Sequence, residues 1–229
     1  MKAVLLVAGK GTRMLPLTKD KPKHFIEING KPFIHHLLED LKEAGFKEFG
    51  LVVNYRKEFF KEFAKNKDDI SIIEQERTLG TGDAVRSVKD FVGGENFVVV
   101  MGDNLYDPQD LKRMVKKDGF CYVAGKKAKH PERYGVLVED QGLLKKIVEK
   151  PENFVGDLIN VGLYKFTPKV FGALERIKLS PRGEFEVTDA INILAQQGLV
   201  KVVKMNGYWV DFGKPEDIKK VEDFIRARK

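Results

Sequence analysis

The chain carries one cysteine, Cys121, among 229 residues. That excludes an internal disulfide, and its place in an apolar run predicts a buried, unreactive thiol. Long hydrophobic runs are missing too. The N-terminal one stops between Ala3 and Ala8, so neither a membrane span nor a secretory leader is expected, and the cytoplasm is the expected setting. The four histidines, His24, His35, His36 and His130, lack zinc-ligand spacing, and the adjacent pair would diverge around a helix. No zinc site is expected. Repeats, low-complexity tracts and long linkers are absent. The pattern G-x-x-x-x-G-K-[ST] occurs nowhere, which excludes a P-loop, and Met14 stands where a dinucleotide-binding loop would need its third glycine. Acid of matching strength is also lacking: 41 basic against 34 acidic residues leave a formal charge of +7. Because the two signs are interleaved along the chain, this balance favours small anionic ligands such as phosphates over a nucleic-acid tract.

What is present is an alternation of apolar runs and amphipathic stretches. Ala3 to Ala8, Gly50 to Val53, Ile70 to Glu74 and Phe97 to Met101 read as buried strands. Pro32 to Ala44 reads as a helix with Phe33, Ile34, Leu37, Leu38 and Leu41 on one face and Gly45 as its stop. Arg56 to Lys65, Gly82 to Phe91 and Asp110 to Lys117 supply three more helices. The first half is therefore βαβαβαβ, which predicts a parallel sheet with right-handed crossovers and ligands at its carboxyl edge.

Beyond Phe120 the strands shorten: Phe120 to Gly125, Gly135 to Glu139, Leu143 to Glu149, Ile159 to Phe166, Val200 to Val203 and Tyr208 to Val210. Helices are expected at Pro168 to Ile177, Thr188 to Gln197 and Pro215 to Ala227. The fold class expected is α/β, with a Rossmann-like, mixed and mainly parallel central sheet flanked by helices. One domain over 1–229 is expected, its halves 1–119 and 120–229 differing in strand pattern.

Four segments carry chemistry. After the first strand, Gly9-Lys10-Gly11-Thr12-Arg13-Met14 and Lys21-Pro22-Lys23 combine glycines that free backbone amides for an anion with an Arg and a Lys suited to phosphate oxygens. The same residues could also form a solvated basic loop. Asp103 ends the strand Phe97 to Met101, and Asp211 follows the apolar run at Tyr208. Each could cap a turn, or the two could share one hard divalent cation through their oxygens. Gln75 and Thr78-Leu79-Gly80-Thr81-Gly82 lie between a strand and a helix, as an ordinary helix start or as an amide positioned to read a pyrimidine edge. In the second half stand Tyr134-Gly135-Val136, Glu149-Lys150-Pro151 and Asn160-Val161-Gly162. Glu149 and Lys150 would point to opposite faces of a strand unless the proline turn redirects one. Phe59, Phe60 and Phe63 lie at helical spacing and are expected in the core or at an oligomer contact.

Taken together these motifs resemble the sugar-1-phosphate nucleotidylyltransferases, whose first loop reads L-A-[AG]-G-x-G-T-R-[ML] and then P-K, with Val7 here in place of the small residue. The resemblance extends to the G-D-N at Gly102, the W-x-D-x-G at Trp209, with Lys214 where many members have Thr, and the Q followed by L-G-T-[AG]-x-A. It covers Lys2 to about Asp217. It implies transfer of a nucleotidyl group from an NTP, UTP or dTTP favoured, to a sugar 1-phosphate, glucose 1-phosphate favoured.

By the same resemblance Arg13, Lys23 and Asp103 would be catalytic, and Asp103 and Asp211 would hold Mg²⁺. Ala8, Gly9, Gly11, Thr12, Gln75, Gly80, Thr81, Gly135, Glu149, Lys150 and Asn160 would bind substrate, with Gln75 and Gly80 on the base. Arg182-Gly183-Glu184-Phe185-Glu186-Val187-Thr188-Asp189 matches G-E-x-E-x-T-D and is read mainly as helix capping and packing. No acyltransferase extension is expected beyond the last helix, and a homo-oligomer is compatible with the pattern. A nucleotide-sugar-dependent glycosyltransferase and a non-catalytic nucleotide-sugar sensor are the alternatives. The glycosyltransferase has less use for Arg13 and Lys23 around a triphosphate.

Overall fold

The computed structural model describes residues 1–228. Strand β1 (Lys2–Leu6) is followed by two 3-10 turns, Thr12–Met14 and Lys23–Phe25, and by a small hairpin of β2 (Glu27–Ile28) and β3 (Lys31–Pro32). Next come α1 (Phe33–Glu43), β4 (Phe49–Val53), α2 (Lys57–Ala64), β5 (Ile70–Glu74), α3 (Thr81–Arg86), α4 (Lys89–Val92) and β6 (Phe97–Met101). Then β7 (Asn104–Tyr106) and α5 (Pro108–Met114) lead to β8 (Cys121–Lys127), β9 (Gly135–Asp140), β10 (Leu143–Glu149) and β11 (Leu158–Phe166). The chain finishes with α6 (Lys169–Leu174), α7 (Val187–Gln196), β12 (Val200–Lys204), β13 (Trp209–Asp211) and α8 (Asp217–Ala227).

A nine-stranded sheet has the order β5-β4-β1-β6-β11-β8-β12-β10-β9. Its first four strands are parallel, as their βα alternation dictates. From β6 onward β11 runs antiparallel to both of its neighbours, so the sheet is mixed. Both faces are covered. Along β6, Val98 and Val100 enter one core layer while Phe97 and Val99 enter the other, the period of two expected of a strand buried on both sides. The first layer takes Phe33, Ile34, Leu37, Leu38 and Leu41 of α1; the second takes Ala190, Ile191 and Leu194 of α7.

Local chemistry sets the element ends. Gly45, at φ +94°, ends α1 where a side chain would be strained. Asp107 accepts the Gln109 N–H at 2.8 Å and Pro108 occupies the first turn of α5, so that helix begins earlier than the expected Asp110. The single helix expected over Gly82 to Phe91 is two, because Ser87 Oγ bonds back to Ala84 O at 2.8 Å and Val88 leaves helical geometry. Phe25 packs against Phe59, Phe60 and Phe63 with ring centroids 5.0 to 5.8 Å apart; Phe60 is buried in the core, Phe63 packs against it, and Phe59 is half-buried. Cys121 is buried, as expected, and burial pushes its thiol pKa up. No helix among the described residues is long and apolar enough to cross a membrane.

Candidate functional site

Three parallel strands end at one cavity of about 240 Å³. Leu6, Ala8 and Gly9 follow from β1, Gln75 from β5, and Met101 and Asp103 from β6; Lys23, His24, Thr78, Gly80, Thr81, Ala84 and Glu184 complete the lining. This is the carboxyl edge of the sheet, where the βα loops leave room for a ligand. Gly9 has open space where a Cβ would stand, so a ligand can approach its backbone. Gly80, at φ +98° and ψ −179°, is packed instead: a Cβ there would come within 2.6 Å of Phe185 O. The Gln75 side chain is buried and donates to Asp83 Oδ2 at 2.8 Å and to Gly80 O at 3.3 Å.

The stretch read mainly as capping and packing does more than that. Phe185 N donates to Leu79 O and Gly82 N donates to Phe185 O, both at 2.7 Å, so this segment is bonded to the loop that carries Gly80. Glu184 thereby reaches the cavity. The cap at α7 comes from elsewhere: Glu186 supplies none, and Thr81 Oγ1 accepts the Val187 N–H at 3.0 Å. Sequence reading missed Glu184 because nothing in its own segment shows which loop it will pair with.

At the cavity mouth two carboxylates distant in sequence meet. Asp211 of β13 pairs with Asn104 of β7, and Phe212 N donates to Asp103 O at 2.8 Å. Burial first, and then the like charge of Asp103, raise the Asp211 pKa to about 6. Burial works in the same direction on Asp103, but the charge and hydrogen bond of Lys23 outweigh it and hold that carboxyl below its ordinary range. The Lys23 Nζ to Asp103 Oδ2 distance is 2.5 Å. Two mutually repelling carboxylates with oxygen donors suit a hard divalent cation, and no cluster of three metal-ligating side chains occurs among the described residues, so phosphates and water would complete its shell. His24, beside Lys23, is buried, and burial first, then Lys23, push its pKa down to about 3, so the imidazole is neutral.

Gly11, Thr12 and Arg13 lie on the same loop but outside the cavity lining. Gly11 sits at φ +63°, with its carbonyl held by Thr18 Oγ1 at 2.9 Å. The exposed Arg13 reaches across to the turn after Asp211, where its guanidinium lies within 3.5 Å of the position a Cβ on Gly213 would take.

Of the second-half residues, Glu149 and Lys150 line a neighbouring cavity of about 710 Å³ together with Arg176, Arg182, Glu186 and Asp189 among others, whereas Gly135 and Asn160 lie outside its lining. Glu149 and Lys150 both face it. Lys150 achieves this at φ +41°, a left-handed backbone immediately before Pro151, pinned by its N–H to Tyr134 O at 3.0 Å. A non-glycine residue held there stores strain, a pattern that concentrates at functional sites. Gly135 pairs with Glu149, and a Cβ on it would meet Glu149 Oε2 at 3.0 Å. Asn160 lies alongside at a break in β11, its Nδ2 donating to the Tyr164 hydroxyl at 2.8 Å and its Oδ1 accepting Gly162 N–H at 3.1 Å. Ser180, Arg182 and Glu186 line this cavity while Glu184 lines the first, so one segment serves both.

Comparison with known proteins follows the same outline. The chain is 42% identical over 227 residues to the bifunctional protein GlmU of Methanocaldococcus jannaschii, covering 98% of this chain and 54% of that protein. It is 34% identical over 239 residues to the UTP–glucose-1-phosphate uridylyltransferase AglF of Haloferax volcanii, covering 99% and 97% of the two chains. The chain thus spans about half the length of the first of these relatives. The crystal structure of a UDP-glucose pyrophosphorylase complexed with UDP-glucose superposes with a TM-score of 0.87 at 27% identity, covering 100% of this chain and 99% of that one. The family described as nucleotidyl transferase matches residues 2–228. Matched over residues 2–228, and over nearly the whole length of the uridylyltransferase relative, the chain belongs to the nucleotidyl transferase family.

Proposed function

We propose that the protein transfers a nucleotidyl group from UTP or dTTP to a sugar 1-phosphate, glucose 1-phosphate favoured, giving an NDP-sugar and pyrophosphate. The observation that carries this reading is the Lys23, Asp103 and Asp211 cluster beside a base-sized cavity and next to a larger cavity holding Glu149 and Lys150. The names of the uridylyltransferase relative and of the UDP-glucose complex support uridine and glucose. On this reading residues 1–229 form one domain, with a nucleotide half in 1–119 and an acceptor half in 120–229. The buried Cys121 thiol suits a cytoplasmic setting.

The chemistry needs no protein nucleophile. A phosphate oxygen of the sugar 1-phosphate attacks the α-phosphorus, the bond to the bridging oxygen breaks, and pyrophosphate leaves in line, so the protein acts by alignment and charge. Lys23 sits where it can exchange Asp103 for an α-phosphate oxygen. Arg13 holds the leaving phosphates, and Lys150 anchors the incoming one. Gly135, Glu149 and Asn160 face sugar hydroxyls, and Ala8, Gly9, Gly11 and Thr12 surround the triphosphate. Gln75, Gly80 and Thr81 hold the base. Asp103 and Asp211 would hold Mg²⁺, which when bound neutralises phosphate charge.

The test is pyrophosphate release with Mg²⁺ across UTP, dTTP and CTP against glucose 1-phosphate and its 2-acetamido counterpart, with Asp103→Ala as control. Release that depends on the acceptor and vanishes in the control is expected. Silence across the matrix with nucleotide binding intact would overturn the proposal in favour of a sensor or a glycosyltransferase.

A further inference from the structure

We infer that Asp83 is a specificity-determining positioning residue that sets the choice of nucleobase by locking the Gln75 amide. The inference rests on the nucleotidyl transfer proposed above and concerns which bases the cavity accepts.

A glutamine side chain carries a two-proton donor and an acceptor, and rotation by half a turn exchanges them. At Gln75 that choice is made by its partners. Nε2 lies 2.8 Å from Asp83 Oδ2 and 3.3 Å from Gly80 O, and a carboxylate and a carbonyl can only accept. The NH₂ must face them, and the reverse orientation would set oxygen against oxygen. Oε1 is then left without a hydrogen-bond partner among the described residues, on a side chain that lines the nucleotide cavity. Gln75 also lines a second hollow, together with Asp83 and Arg86, and with Nε2 held on the Asp83 side Oε1 is the group left to meet a base in the nucleotide cavity.

Asp83 is itself held. Arg86 Nη1 lies 3.3 Å from Asp83 Oδ1, Arg86 Nη2 donates to Leu174 O at 2.8 Å, and the guanidinium stands 5.0 Å from the Phe185 ring centroid. These contacts hold the carboxylate in place, with Oδ2 on Gln75 Nε2. The amide is thus oriented by a relay, Arg86 to Asp83 to Gln75, whose first two members do not line the cavity.

A fixed acceptor favours a base edge that carries an imino proton. Uracil and thymine present N3–H there. Cytosine presents a bare N3 lone pair, so two acceptors would face each other, and a buried polar group left unmatched is rejected more strongly than a lost methyl group. Substituting Asp83 by asparagine preserves shape but lets the residue offer either an oxygen or an NH₂, and with only the longer Gly80 O contact of 3.3 Å still opposing it, Gln75 can turn over and present its own NH₂ to cytosine.

The experiment measures kcat/KM for UTP, dTTP and CTP with saturating acceptor, for the unaltered protein and for Asp83→Asn. The expected result is a preference for UTP over CTP of at least about 100-fold, reduced by about tenfold or more in Asp83→Asn through loss with UTP and gain with CTP. A purely structural role would lower both nucleotides together and leave the ratio unchanged, which would overturn the inference while leaving the transfer reaction standing. If the unaltered protein turned over none of the three, the transfer reading would fall first and this inference with it. A second measurement does not depend on the variant folding. In the unaltered protein, saturating UTP should shift the Gln75 side-chain carbonyl ¹³C resonance while the Nε2 protons stay protected from exchange. Gln75 Nε2 protons that exchange freely in the UTP complex would show that the amide is not locked.

Discussion

Replacing Gly80 by alanine should damage both stability and nucleotide binding, and the size of the damage can be worked from the backbone. At φ +98° and ψ −179° Gly80 lies in a region that only glycine occupies readily, and placing a Cβ there costs about 1–3 kcal/mol. The new atom would also come within 2.6 Å of Phe185 O, 2.8 Å of Glu184 Cβ and 2.9 Å of Phe185 N. Two of these are backbone atoms in a segment bonded to the Gly80 loop, so relief requires moving that segment, at a further cost of about 1–3 kcal/mol for overpacking. Gly142 is the internal control. It also has positive φ, +80°, but has nothing within 4 Å of a Cβ position, so Gly142→Ala should cost only the backbone part, about 1–2 kcal/mol. Urea unfolding of both variants should show Gly80→Ala less stable than Gly142→Ala by about 1–3 kcal/mol. Calorimetric titration with UTP should show affinity reduced by about tenfold or more in Gly80→Ala and retained in Gly142→Ala. Equal destabilisation by the two substitutions, with UTP binding intact in both, would refute the claim that the contact between residues 184–185 and the Gly80 loop is tight.

Asp211→Asn should separate stability from function. Above pH 6 the Asp211 charge opposes folding because its carboxyl titrates at about 6 in the native protein, above the ordinary value of 3.8. The amide should therefore raise stability in EDTA at pH 8 by about 1–3 kcal/mol while removing metal-dependent turnover, and a loss of stability in EDTA would contradict the repulsion described for the pair. Asp40 supplies a second pH test. Its carboxyl is raised to about 7 from 3.8, by burial foremost and against the pull of Arg228. Asp40 Oδ1 accepts from Arg228 at 2.8 Å, but Oδ2 has no partner, so one bond does not offset the burial. The folded state thus holds a proton that the unfolded state releases between about pH 4 and 7, and stability falls as pH rises through that window. Asp40→Asn should flatten this slope between pH 5 and 8 in urea titrations, and an unchanged slope would show that Arg228 keeps the residue charged throughout.

The parallel half of the sheet was legible because its strands are buried on both faces and appear as unbroken apolar runs, and because α1 carries its own apolar stripe and a glycine stop. The motif residues were legible where chemistry is local: the loop after β1, Asp103 at the end of β6, Gln75 after β5. The hairpin β2–β3 and strand β7 were not, since two or three residues carry no usable period. Strand β7 is held instead by β13, its partner about a hundred residues on.

Residue types and their order along the chain by themselves determined the α/β architecture, the family and the placing of glycines, cations and carboxylates at the strand ends, because periodicity and short motifs are properties of neighbouring residues. Tertiary structure alone decided which of those groups meet. It set Asp211 beside Asp103 through the ladder that pairs Asp211 with Asn104, turned Lys150 onto the same cavity as Glu149 and brought Glu184 to the loop that carries Gly80. It also turned the Gln75 amide NH₂ onto Asp83. Such outcomes depend on hydrogen bonds and close contacts between segments far apart in the chain, whose geometry exists only once both cores have closed around the sheet.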